Sequence, residues 1–390
     1  MRIKNNNKTN LRIALMGTRG VPSSYSGFET CVEQLGRRLV ERGHDVTVYC
    51  RKHHIKYDGV LYKGMKLVKL DTVQNKYLDT IAHSFISSLH ALFHRYDIAL
   101  YFIAGNSPVS WIPRIVGTKT ILNVDGLDWE REKWPVFAKK YIQFSEFLAT
   151  RLPNMYLTDC AVVQDYYQTK YNSKPPFITY GSEVSILPPG DTLRKFGLEP
   201  NKYILFVGRL VPENCVHHLI TAFRKMETDL KCVIVGSSSY SDDYISELQS
   251  LAQDDSRIVF TGYAFGKDYY ELGSNALIFV ETSGVGGTHP ALTEAMGFGN
   301  CIIVNNTPQN LETIADAGVS YDGKLGGESL YKILQELLAD RILIDEYRKR
   351  ALNRANTYYS WESVTDDYEM MFYKLVNLPM PERLQSLNKS

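Results

Sequence analysis

The stretch LRIALMGTRGVPSSYSGFETCVEQLGRRLVERGHDVTVYC, residues 11–50, decides the fold. Its first six residues form a continuous apolar run, typical of a buried strand, that ends at Gly17. Apolar residues then recur at helical spacing over 29–42, Gly43 ends that helix, and DVTVYC at 45–50 predicts a second strand. A strand, a helix and another strand in this order predict a parallel sheet covered by helices.

The same alternation continues along the chain and starts again once. The first half predicts further strands at 98–103, 120–124 and 160–163, with an amphipathic helix over 77–95. The stretch 174–190 contains two Pro-Pro pairs and predicts a connection between domains. Beyond it, a helix is expected over 215–227, and strands are expected at 203–207, 231–235, 258–260, 277–280 and 301–304.

This organisation predicts an α/β protein of two doubly wound, Rossmann-like domains, over 1–180 and 181–360. Ligands of such sheets bind at the carboxyl ends of the strands, so we expect the site in a cleft between two facing domains. A last helix, at 361–376 and extending to 378 at most, has aromatic residues on one face and is expected to pack back on the first domain.

Composition excludes several classes of protein. The 390 residues are 44% hydrophobic and 22% charged, as in a soluble globular protein, and no apolar run approaches a membrane span. The polar start MRIKNNNKTN lacks the apolar run of a secretory signal. Six cysteines stand without a CxxC pair, which favours a reducing compartment and argues against a zinc site. A cytoplasmic protein is therefore predicted.

Charge is distributed unevenly along the chain. Residues 1–190 contain 25 Lys and Arg against 16 Asp and Glu, whereas the remaining residues contain 19 against 27. The basic half could meet an anionic membrane surface, a phosphorylated acceptor or nucleic acid. The basic residues are spread rather than clustered, so chance drift of surface charge explains the excess equally well.

Two glycine-containing loops follow predicted strands and precede predicted helices. The first, residues 17–29, contains Gly17, Gly20 and Gly27, which would let the backbone approach an anion; an ordinary strand-to-helix turn is the alternative. The second, SGVGGTHPALTEAM at 283–296, places Gly286, Gly287 and Thr288 at a helix start before Pro290, which predicts a diphosphate site.

Polar side chains near these loops complete the predicted site. Glu294, one turn into its helix, could accept hydrogen bonds from a ribose diol or could simply be solvated. Arg209 in GRLVPEN follows a strand, where a guanidinium can bind phosphate in bidentate fashion or form a surface ion pair. The segment NVDGLDWEREKW contains Asp125, Asp128 and Trp129, a mixture that suits sugar binding or a surface helix with ion pairs.

Taken together, these motifs resemble family 4 glycosyltransferases of the GT-B fold, and most closely a subgroup linked to rhamnosyl transfer in polysaccharide assembly. The resemblance covers nearly the whole chain and rests on the order of its motifs, which are GTRGVPSSYSGFET, NVDGLDWEREKW, TYGSE, GRLVPEN, VIVGSSSY, FTGYAF, GGTHPALTEAM and the terminal YSW helix.

The resemblance implies a retaining, metal-independent transfer of a sugar from a UDP or dTDP donor, with no cofactor. Arg209 would neutralise the leaving diphosphate, and Gly286, Gly287 and Thr288 would hydrogen-bond it. Glu294 would hold the ribose, and Tyr263 and Ala264 would frame the base. The loop of Arg19 and Gly27 would approach the donor or the acceptor, and Asp128 and Trp129 would contact sugar.

Three departures from the family pattern concern this site. Asn214 stands where the wider family has a lysine, so one positive charge on the diphosphate is missing. The first glutamate of the paired-glutamate motif is replaced around Gly286, which removes a contact to the donor sugar. Asp125 stands near the position of a catalytic histidine. The resembling subgroup shares such changes, which indicates a different donor sugar rather than lost activity.

The expected function is therefore glycosyl transfer to a glycan or lipid-diphosphate acceptor in cell-surface polysaccharide synthesis. No carboxylate is marked as a nucleophile, so front-face departure of the diphosphate is the expected mechanism. An inactive sugar-nucleotide-binding scaffold and a GT-B epimerase remain as alternatives. Nucleic acid is not an expected partner.

A lipid-linked acceptor would place the enzyme at the inner face of the cell membrane. Lys63, Lys66, Lys69 and Lys76 precede the 77–95 helix, and Lys139 and Lys140 lie on another helical stretch, so these residues could contact anionic lipid. Leu78, Ile81, Phe85 and Leu89 on the first helix are explained equally well by core packing.

Overall fold

A computed structural model describes residues 10–23, 27–75, 78–131, 134–183, 185–238 and 241–387, and every structural statement below concerns those residues. The chain divides into two compact units. The first contains residues 1–129, 134–179 and 361–390, and the second contains 130–133 and 180–360.

The first unit is built on a seven-stranded sheet with the order β3-β4-β2-β1-β5-β6-β7. Its strands are β1 (Arg12–Met16), β2 (Asp45–Arg51), β3 (Leu61–Tyr62), β4 (Met65–Leu70), β5 (Ile98–Phe102), β6 (Lys119–Asn123) and β7 (Met155–Leu157). All neighbours are parallel except β3 and β4, and β1 lies at the centre, with Ile13 opposite Val46 on one side and Ile98 on the other. The apolar run that predicted β1 is therefore a fully buried parallel strand.

Six helices belong to this unit. They are α1 (Gly27–Glu41), α2 (Asp79–Ala91), α3 (Val136–Ala149), α4 (Ala161–Tyr171), and, from the end of the chain, α13 (Trp361–Val376) and α14 (Glu382–Leu387). Short 3-10 segments at Ala104–Val109 and Ile112–Val116 follow β5, and another covers Asp128–Glu130.

The second unit is built on a six-stranded parallel sheet with the order β10-β9-β8-β11-β12-β13. Its strands are β8 (Tyr203–Val207), β9 (Lys231–Val235), β10 (Ile258–Gly262), β11 (Ile278–Glu281), β12 (Cys301–Asn305) and β13 (Val319–Tyr321). Separate apolar cores cover the two faces of the sheet, one around Phe206 and Phe223 and the other around Leu205 and Phe279. Each unit is thus a doubly wound α/β domain, as the strand–helix alternation predicts.

Eight helices surround the second sheet. They are α5 (Asp191–Lys195), α6 (Val216–Arg224), α7 (Asp242–Ala252), α8 (Gly266–Ser274), α9 (Pro290–Gly297), α10 (Pro308–Ile314), α11 (Gly327–Ala339) and α12 (Arg341–Tyr358), and a 3-10 turn covers Pro212–Asn214. Prolines occupy the first positions of α9 and α10, where the missing N–H would have no partner within the helix.

The structure corrects part of the predicted secondary structure. The strand expected at 160–163 is wrong, because residues 161–171 form α4 and the strand lies earlier, at β7. Apolar Ala161, Val162 and Val163 are too few to distinguish a strand from the start of a helix. Strands β3, β4 and β13 were not predicted. β3 and β13 are edge strands of two and three residues, whose pattern is weak, and β4, between β3 and β2, interrupts its apolar residues with two lysines.

The chain order of the units differs from a simple division into halves. The unit boundary falls between Thr179 and Tyr180, and residues 130–133 group with the second unit although they precede it by some 50 residues. Helix α13 belongs to the first unit, where Asn123 Nδ2 donates to Tyr368 Oη at 3.0 Å. No helix in the described chain is long and apolar enough to cross a membrane.

Candidate functional site

The loops that follow β8 and β11 meet at the point where the strand order of the second sheet reverses. These two strands are neighbours, with Ile204 opposite Ile278, and the chain proceeds outward from them in opposite directions. Ligands of open α/β sheets bind in the crevice at such a point, outside the carboxyl ends of the strands. Arg209 and the glycine loop around Gly286 both belong to these loops, so the fold brings the predicted phosphate-binding groups to one edge.

Asn214 joins the two loops. Its side-chain Nδ2 donates to the carbonyl of Arg209 at 2.8 Å, and Ser283 Oγ donates to its Oδ1 at 3.2 Å. The hydroxyl of Thr282 donates to its main-chain carbonyl. A lysine at this position could donate but could not accept the bond from Ser283. The amide of Asn214, which was expected to contact the donor, is thus occupied in holding the Arg209 loop.

The side chain of His289 packs against the main chain of the glycine loop at Gly286. Gly286 has φ +138°, and a Cβ at this position would lie 2.9 Å from His289 Cε1. The imidazole therefore occupies the space that any side chain at 286 would need. Gly287 and Thr288 are buried, and Pro290 begins α9 as predicted.

His289 is an uncharged imidazole at neutral pH. Burial and the positive charges of Arg131 and Arg209 lower the pKa of His289 to about 3. Two guanidinium groups thus lie close enough to this ring to repel a proton from it. The electrostatic field that opposes protonation of the ring favours an anion in the same place.

Glu294 lies on α9, buried among apolar neighbours. Tyr269 Oη donates to its Oε2 at 2.6 Å. Burial raises the pKa of Glu294 to about 7, and the nearby charge of Glu183 acts in the same direction. The predicted ribose contact therefore depends on a carboxyl that already has one tyrosine partner and that changes its charge near neutral pH.

The predicted base-binding residues follow β10. Gly262 has φ +71°, and Tyr263 and Phe265 stack with ring centroids 5.8 Å apart and planes at 19°. Both rings are about two-fifths exposed, and Ala264 between them packs against the core. Exposed, stacked aromatic rings offer a flat apolar surface, which suits a planar base.

The first unit has a second reversal of strand order, between β1 and β5. Gly17 and Gly20 lie there with φ +96° and +107°, and a Cβ at each would approach Phe102 O to 2.7 Å and Cys50 Sγ to 2.5 Å. These two glycines are therefore required for packing within the unit, and the approach of a ligand to this loop stays a prediction. Gly27 is the first residue of α1, and residues 24–26 lie outside the described chain.

Arg19 is positioned in this loop by its main chain. Its N–H donates to Glu29 Oε1 at 2.9 Å, and its carbonyl accepts from the N–H of Arg51 at 3.0 Å. The buried carboxylate of Glu29 thus anchors the loop to α1. The side chain of Arg19 is half-buried on the loop between β1 and α1.

Asp125, Asp128 and Trp129 follow β6. Asp125 has a left-handed backbone conformation, with φ +61°. Its main-chain N–H donates to Asn123 Oδ1 at 3.0 Å, which holds the turn in place. Trp134 Nε1 donates to Asp128 Oδ2 at 3.0 Å. The Trp129 ring lies 6.4 Å from that of Tyr166, with Lys170 Nζ 5.5 Å from its centroid. These contacts order the segment but leave its predicted role in sugar binding untested.

The comparisons with known proteins agree on the second unit. Residues 191–356 match the family described as glycosyl transferases group 1, and residues 11–183 match a domain of unknown function, DUF1972. Residues 191–356 are thus similar in sequence to group 1 glycosyltransferase domains. YtcC of Bacillus subtilis (strain 168), whose name assigns it to the glycosyltransferases, is 30% identical over 209 residues. That match spans about half of this chain and half of YtcC.

Solved structures show the fold of the whole chain. Sucrose-phosphate synthase from Thermosynechococcus elongatus superposes with a TM-score of 0.79 at 18% identity, over 94% of this chain and 100% of that one. Anabaena HepE in complex with UDP-glucose superposes with a TM-score of 0.77 at 15% identity, over 94% and 100%. The protein therefore has the GT-B fold, which was predicted.

Sequence reasoning missed several residues of the glycosyltransferase domain. His289 lies in the GGTHPALTEAM motif, in which only the glycines, Thr288 and Glu294 were predicted to bind the donor. Glu281 is buried at the end of β11, where burial raises its pKa to about 7 and its Oε1 accepts from Ser283 N at 2.9 Å. Phe265 and Tyr269 sit beside predicted residues. An apolar strand that ends in a carboxylate, as in IFVE, was a readable signal for Glu281.

A polar cluster at the carboxyl edge of the first sheet was also missed. Asp79 Oδ2 lies 2.9 Å from Arg51 Nη1, 3.4 Å from His54 Nε2 and 3.6 Å from His53 Nε2. Although burial opposes ionisation, hydrogen bonds from His54 and Arg51 lower the pKa of Asp79 to about 2. His53 and His54, to which no role was given, thus face one carboxylate.

This cluster has the composition of a charge network rather than a cation site. The ligand atoms of His53, His54 and Asp79 all lie within 4.8 Å of one another. The Asp79 oxygen that both imidazoles face already accepts from the buried Arg51 guanidinium, whose fixed positive charge would repel a cation there. His83, on the same helix as Asp79, is fully buried.

Proposed function

We propose that the protein is a retaining, metal-independent glycosyltransferase that moves a sugar from a nucleoside-diphosphate donor to a glycan or lipid-diphosphate acceptor. The observation that carries the proposal is the joined pair of loops after β8 and β11. They combine the Arg209 guanidinium, the N-terminus of α9 and a neutral His289 at the reversal point of a group 1 glycosyltransferase domain.

The chemistry of these loops suits a diphosphate. The N-terminus of α9 offers main-chain N–H groups and the positive end of the helix dipole. Arg209 adds a charge, and Arg131 contributes a second one in the same unit, at 4.0 Å from Glu213 Oε1. Together they can replace the lysine that Asn214 displaces, because the requirement is positive charge near the leaving group rather than a particular side chain.

The donor that we propose is a UDP or dTDP sugar. Support comes from HepE, whose solved structure contains UDP-glucose and shares this fold, and from the stacked Tyr263 and Phe265 rings beside β10. Rhamnose is the sugar that the resembling subgroup indicates. Gly286 and His289 favour a sugar different from that of the wider family, because a neutral imidazole replaces a carboxylate as the neighbouring hydrogen-bonding group.

We propose that the acceptor meets the first unit at the reversal point between β1 and β5. Arg19, Arg51, His53 and His54 lie around this point, against the carboxylates of Glu29 and Asp79. Asp128 and Trp129 would contact sugar further along the same sheet edge. A cationic excess in this unit suits an acceptor that carries phosphate, which is the chemistry of a lipid-diphosphate sugar in polysaccharide synthesis.

The proposed reaction is a front-face displacement. The bond between the anomeric carbon and the diphosphate oxygen breaks first, the acceptor hydroxyl attacks from the same side, and the leaving phosphate takes its proton. The protein contributes orientation and stabilisation of the departing charge, in which Arg209 and the α9 N–H groups act. Asp125 is proposed to orient the acceptor, since its position resembles that of the family's catalytic histidine.

Two alternatives make different use of the same domain. A sugar-nucleotide-binding scaffold would bind the donor without turnover. A GT-B epimerase would require carboxyl groups that exchange protons with the sugar. Glu281 favours this alternative, because burial raises its pKa to about 7, where a carboxyl group can both donate and accept a proton. Release of free nucleoside diphosphate only when an acceptor is added supports the transferase over both.

The experiment that tests the proposal is a ligand screen by thermal shift, followed by turnover. UDP and dTDP sugars should raise the melting temperature, because a ligand that binds the folded state stabilises it by mass action. Guanosine-diphosphate sugars serve as the matched control. A donor that shifts the melting temperature without diphosphate release in the presence of lipid-diphosphate sugars would refute the transferase and favour the scaffold.

A further inference from the structure

Helix α2 is inverted relative to an ordinary surface helix. It buries its polar residues, among them Asp79, His83 and Ser87, against the sheet and its neighbours. Its large apolar residues face outward: Leu78, Phe85, Ile86, Leu89 and Phe93 are exposed, the last by 83%. At 100° per residue these five positions fall within one narrow face of the helix. Core packing therefore does not account for them.

Helix α3 also directs large aromatic residues outward. It buries Ala138, Ile142, Ser145 and Glu146, whereas aromatic residues at 137, 141, 144 and 147 are exposed. Val136 at its start is exposed by 71%. Phe144 and Phe147 stack with centroids 6.5 Å apart, so the exposed face of α3 is a continuous aromatic surface.

The 3-10 segments after β5 connect the two helices. Both α2 and α3 pack against Ala104–Val109, and Tyr141 Oη donates to the carbonyl of Gly105 at 2.9 Å. The following turn, which packs against α2, exposes Trp111, Ile115 and Val116. We call the exposed residues of α2, this turn and α3 the aromatic face. It includes 13 of the 26 exposed large apolar side chains among the described residues, far more than single surface residues scattered at random.

The charges around the aromatic face are of one sign. Arg95, Arg114, Lys140 and Arg151 are exposed on or beside it, and Lys139 is half-buried. The Arg151 guanidinium lies 3.8 Å from the centroid of the Phe147 ring. In the described residues 78–96, 104–119 and 134–151 the acidic side chains are Asp79 and Glu146, and both are buried. Apolar aromatic residues interleaved with cations are the composition that binds an anionic membrane interface.

We propose that the aromatic face docks the first unit on an anionic lipid bilayer. Charge complementarity favours an anionic lipid surface as the partner of this face. In a dimer formed through the face, the basic residues of the two copies would repel one another, whereas anionic headgroups would neutralise them. Phe and Trp rings would enter the boundary between headgroups and acyl chains, and the basic residues would meet phosphate groups. The proposal deepens the proposed function, on which it rests for its purpose, because a lipid-diphosphate acceptor is presented at such a surface.

The aromatic face replaces the lysines that the sequence indicated. Lys63 Nζ lies 2.6 Å from Glu33 Oε1, Lys66 Nζ lies 2.8 Å from Asp45, and Lys69 donates to the carbonyl of Tyr57. Each of these three is thus engaged within the unit near the β3 edge, and Lys76 lies outside the described residues.

The test is cosedimentation of the full chain with vesicles, without donor or acceptor. Phosphatidylcholine vesicles are compared with vesicles that contain about 30% phosphatidylglycerol, at low and at physiological salt. The wild type should bind the anionic vesicles, and salt should weaken the binding. Phe137→Ser with Phe144→Ser should lower the partition coefficient at least about tenfold. Lys140→Glu with Arg151→Glu should lower it at least about twenty-fivefold, since the loss of each surface cation contributes roughly a factor of five and the added carboxylates repel anionic lipid.

Matched controls separate this face from other surfaces. Leu325→Ser with Ile342→Ser removes equally exposed apolar residues from the second unit, and Lys63→Glu reverses a charge near the β3 edge. Neither should change binding. The inference is overturned by wild-type binding below a few percent at low salt, by an effect of the controls equal to that of the face variants, or by dimerisation that the Phe→Ser pair abolishes. Donor-induced thermal shifts, measured without vesicles, report on the proposed function separately.

Discussion

Gly286 and His289 illustrate how a departure from a family pattern is accommodated at the scale of single residues. Gly286 has φ +138°, and the imidazole of His289 lies 2.9 Å from the place that a Cβ at 286 would take. Both observations require glycine at this position. A glutamate at 286 would be strained and would displace the ring. Asn214 is a comparable case, because its amide joins two loops that a lysine could not join. In both places a side chain shapes the loop that we propose binds the diphosphate.

Arg209 is the residue whose loss should affect the chemistry most. Arg209→Ala should lower kcat by at least about tenfold, because its charge matters most as the diphosphate departs. Arg209→Lys should restore only part of the rate, since a point charge replaces a bidentate fork. The measurement is steady-state release of nucleoside diphosphate, with circular dichroism to confirm folding. A folded alanine variant with normal turnover would eliminate this role.

Glu294 should make stability depend on pH. Its pKa is raised from 4.5 to about 7, so the folded state binds the proton more tightly than the unfolded state does. Stability should therefore fall as pH rises from about 4.5 to about 7. Glu294→Gln keeps an acceptor for Tyr269 and removes the charge, so it should stabilise the protein at pH 8 by up to about 3 kcal/mol, and by less at pH 5. Urea unfolding at both pH values measures this, and an equal effect at the two would contradict it.

The C-terminal helix α13 shows how one element is held in place by an electrostatic network. Glu369, 1% exposed, accepts from His44 Nε2 at 3.1 Å, from Arg42 Nη1 at 3.0 Å and from Arg383. Leu11 N donates to His44 Nδ1 at 3.0 Å. The hydrogen of the imidazole is therefore on Nε2, which donates it in the hydrogen bond to Glu369. Arg42 and His44, from the turn between α1 and β2, and Arg383 of α14 thus converge on one carboxylate of α13.

Loss of that carboxylate should loosen the helix. Glu369→Gln removes the charged acceptor that Arg42, His44 and Arg383 share, and it should cost about 1.5–3 kcal/mol. Although burial opposes it, hydrogen bonds from His44 and Arg383 lower the pKa of Glu369 to about 2, so its contribution is present above pH 4.5 and is lost as pH falls towards 2. Glu362→Gln, at a carboxylate that is 63% exposed and pairs with Arg42 and Arg38, is the control and should cost less than about 1 kcal/mol. Hydrogen exchange of α13 reports the loosening, and equal costs for the two variants would refute it.

At the scale of the whole molecule, the proposed chemistry requires charge without a metal. In the described chain, the group whose ligand atoms could surround a cation lies in the first unit, where Arg51 already occupies the shared oxygen of Asp79. Transferase activity should therefore survive excess chelator. Activity measured after treatment with EDTA and gel filtration checks this, with an added-magnesium sample as the control. A strict need for magnesium or manganese would overturn the proposed use of Arg209 and main-chain N–H groups.

Much of the candidate site could be predicted from local sequence. Loops that follow buried strands were identified from apolar runs ending at glycine, and parallel strands necessarily bring such loops to one edge. What these side chains do there could not be predicted. Whether Asn214 faces the ligand or bonds to Ser283, and whether His53 and His54 face Asp79, depends on side-chain directions that sequence spacing leaves open once the backbone is irregular.

The sequence by itself determined the two doubly wound sheets, because buried parallel strands must be continuous apolar runs and their helices must show helical spacing. Only the tertiary structure decided which residues those helices expose. The pattern of α2 left open whether its apolar residues pack in the core or face outward. In the structure its serines and His83 are buried and Phe85 and Leu89 face outward, whereas Ile81 packs against the core. Periodicity shows that a helix has two faces. Which face is buried depends on the polar groups that the rest of the fold presents to it, here Arg51, which donates to Asp79 of the helix, and Tyr101, which hydrogen-bonds to Ser88.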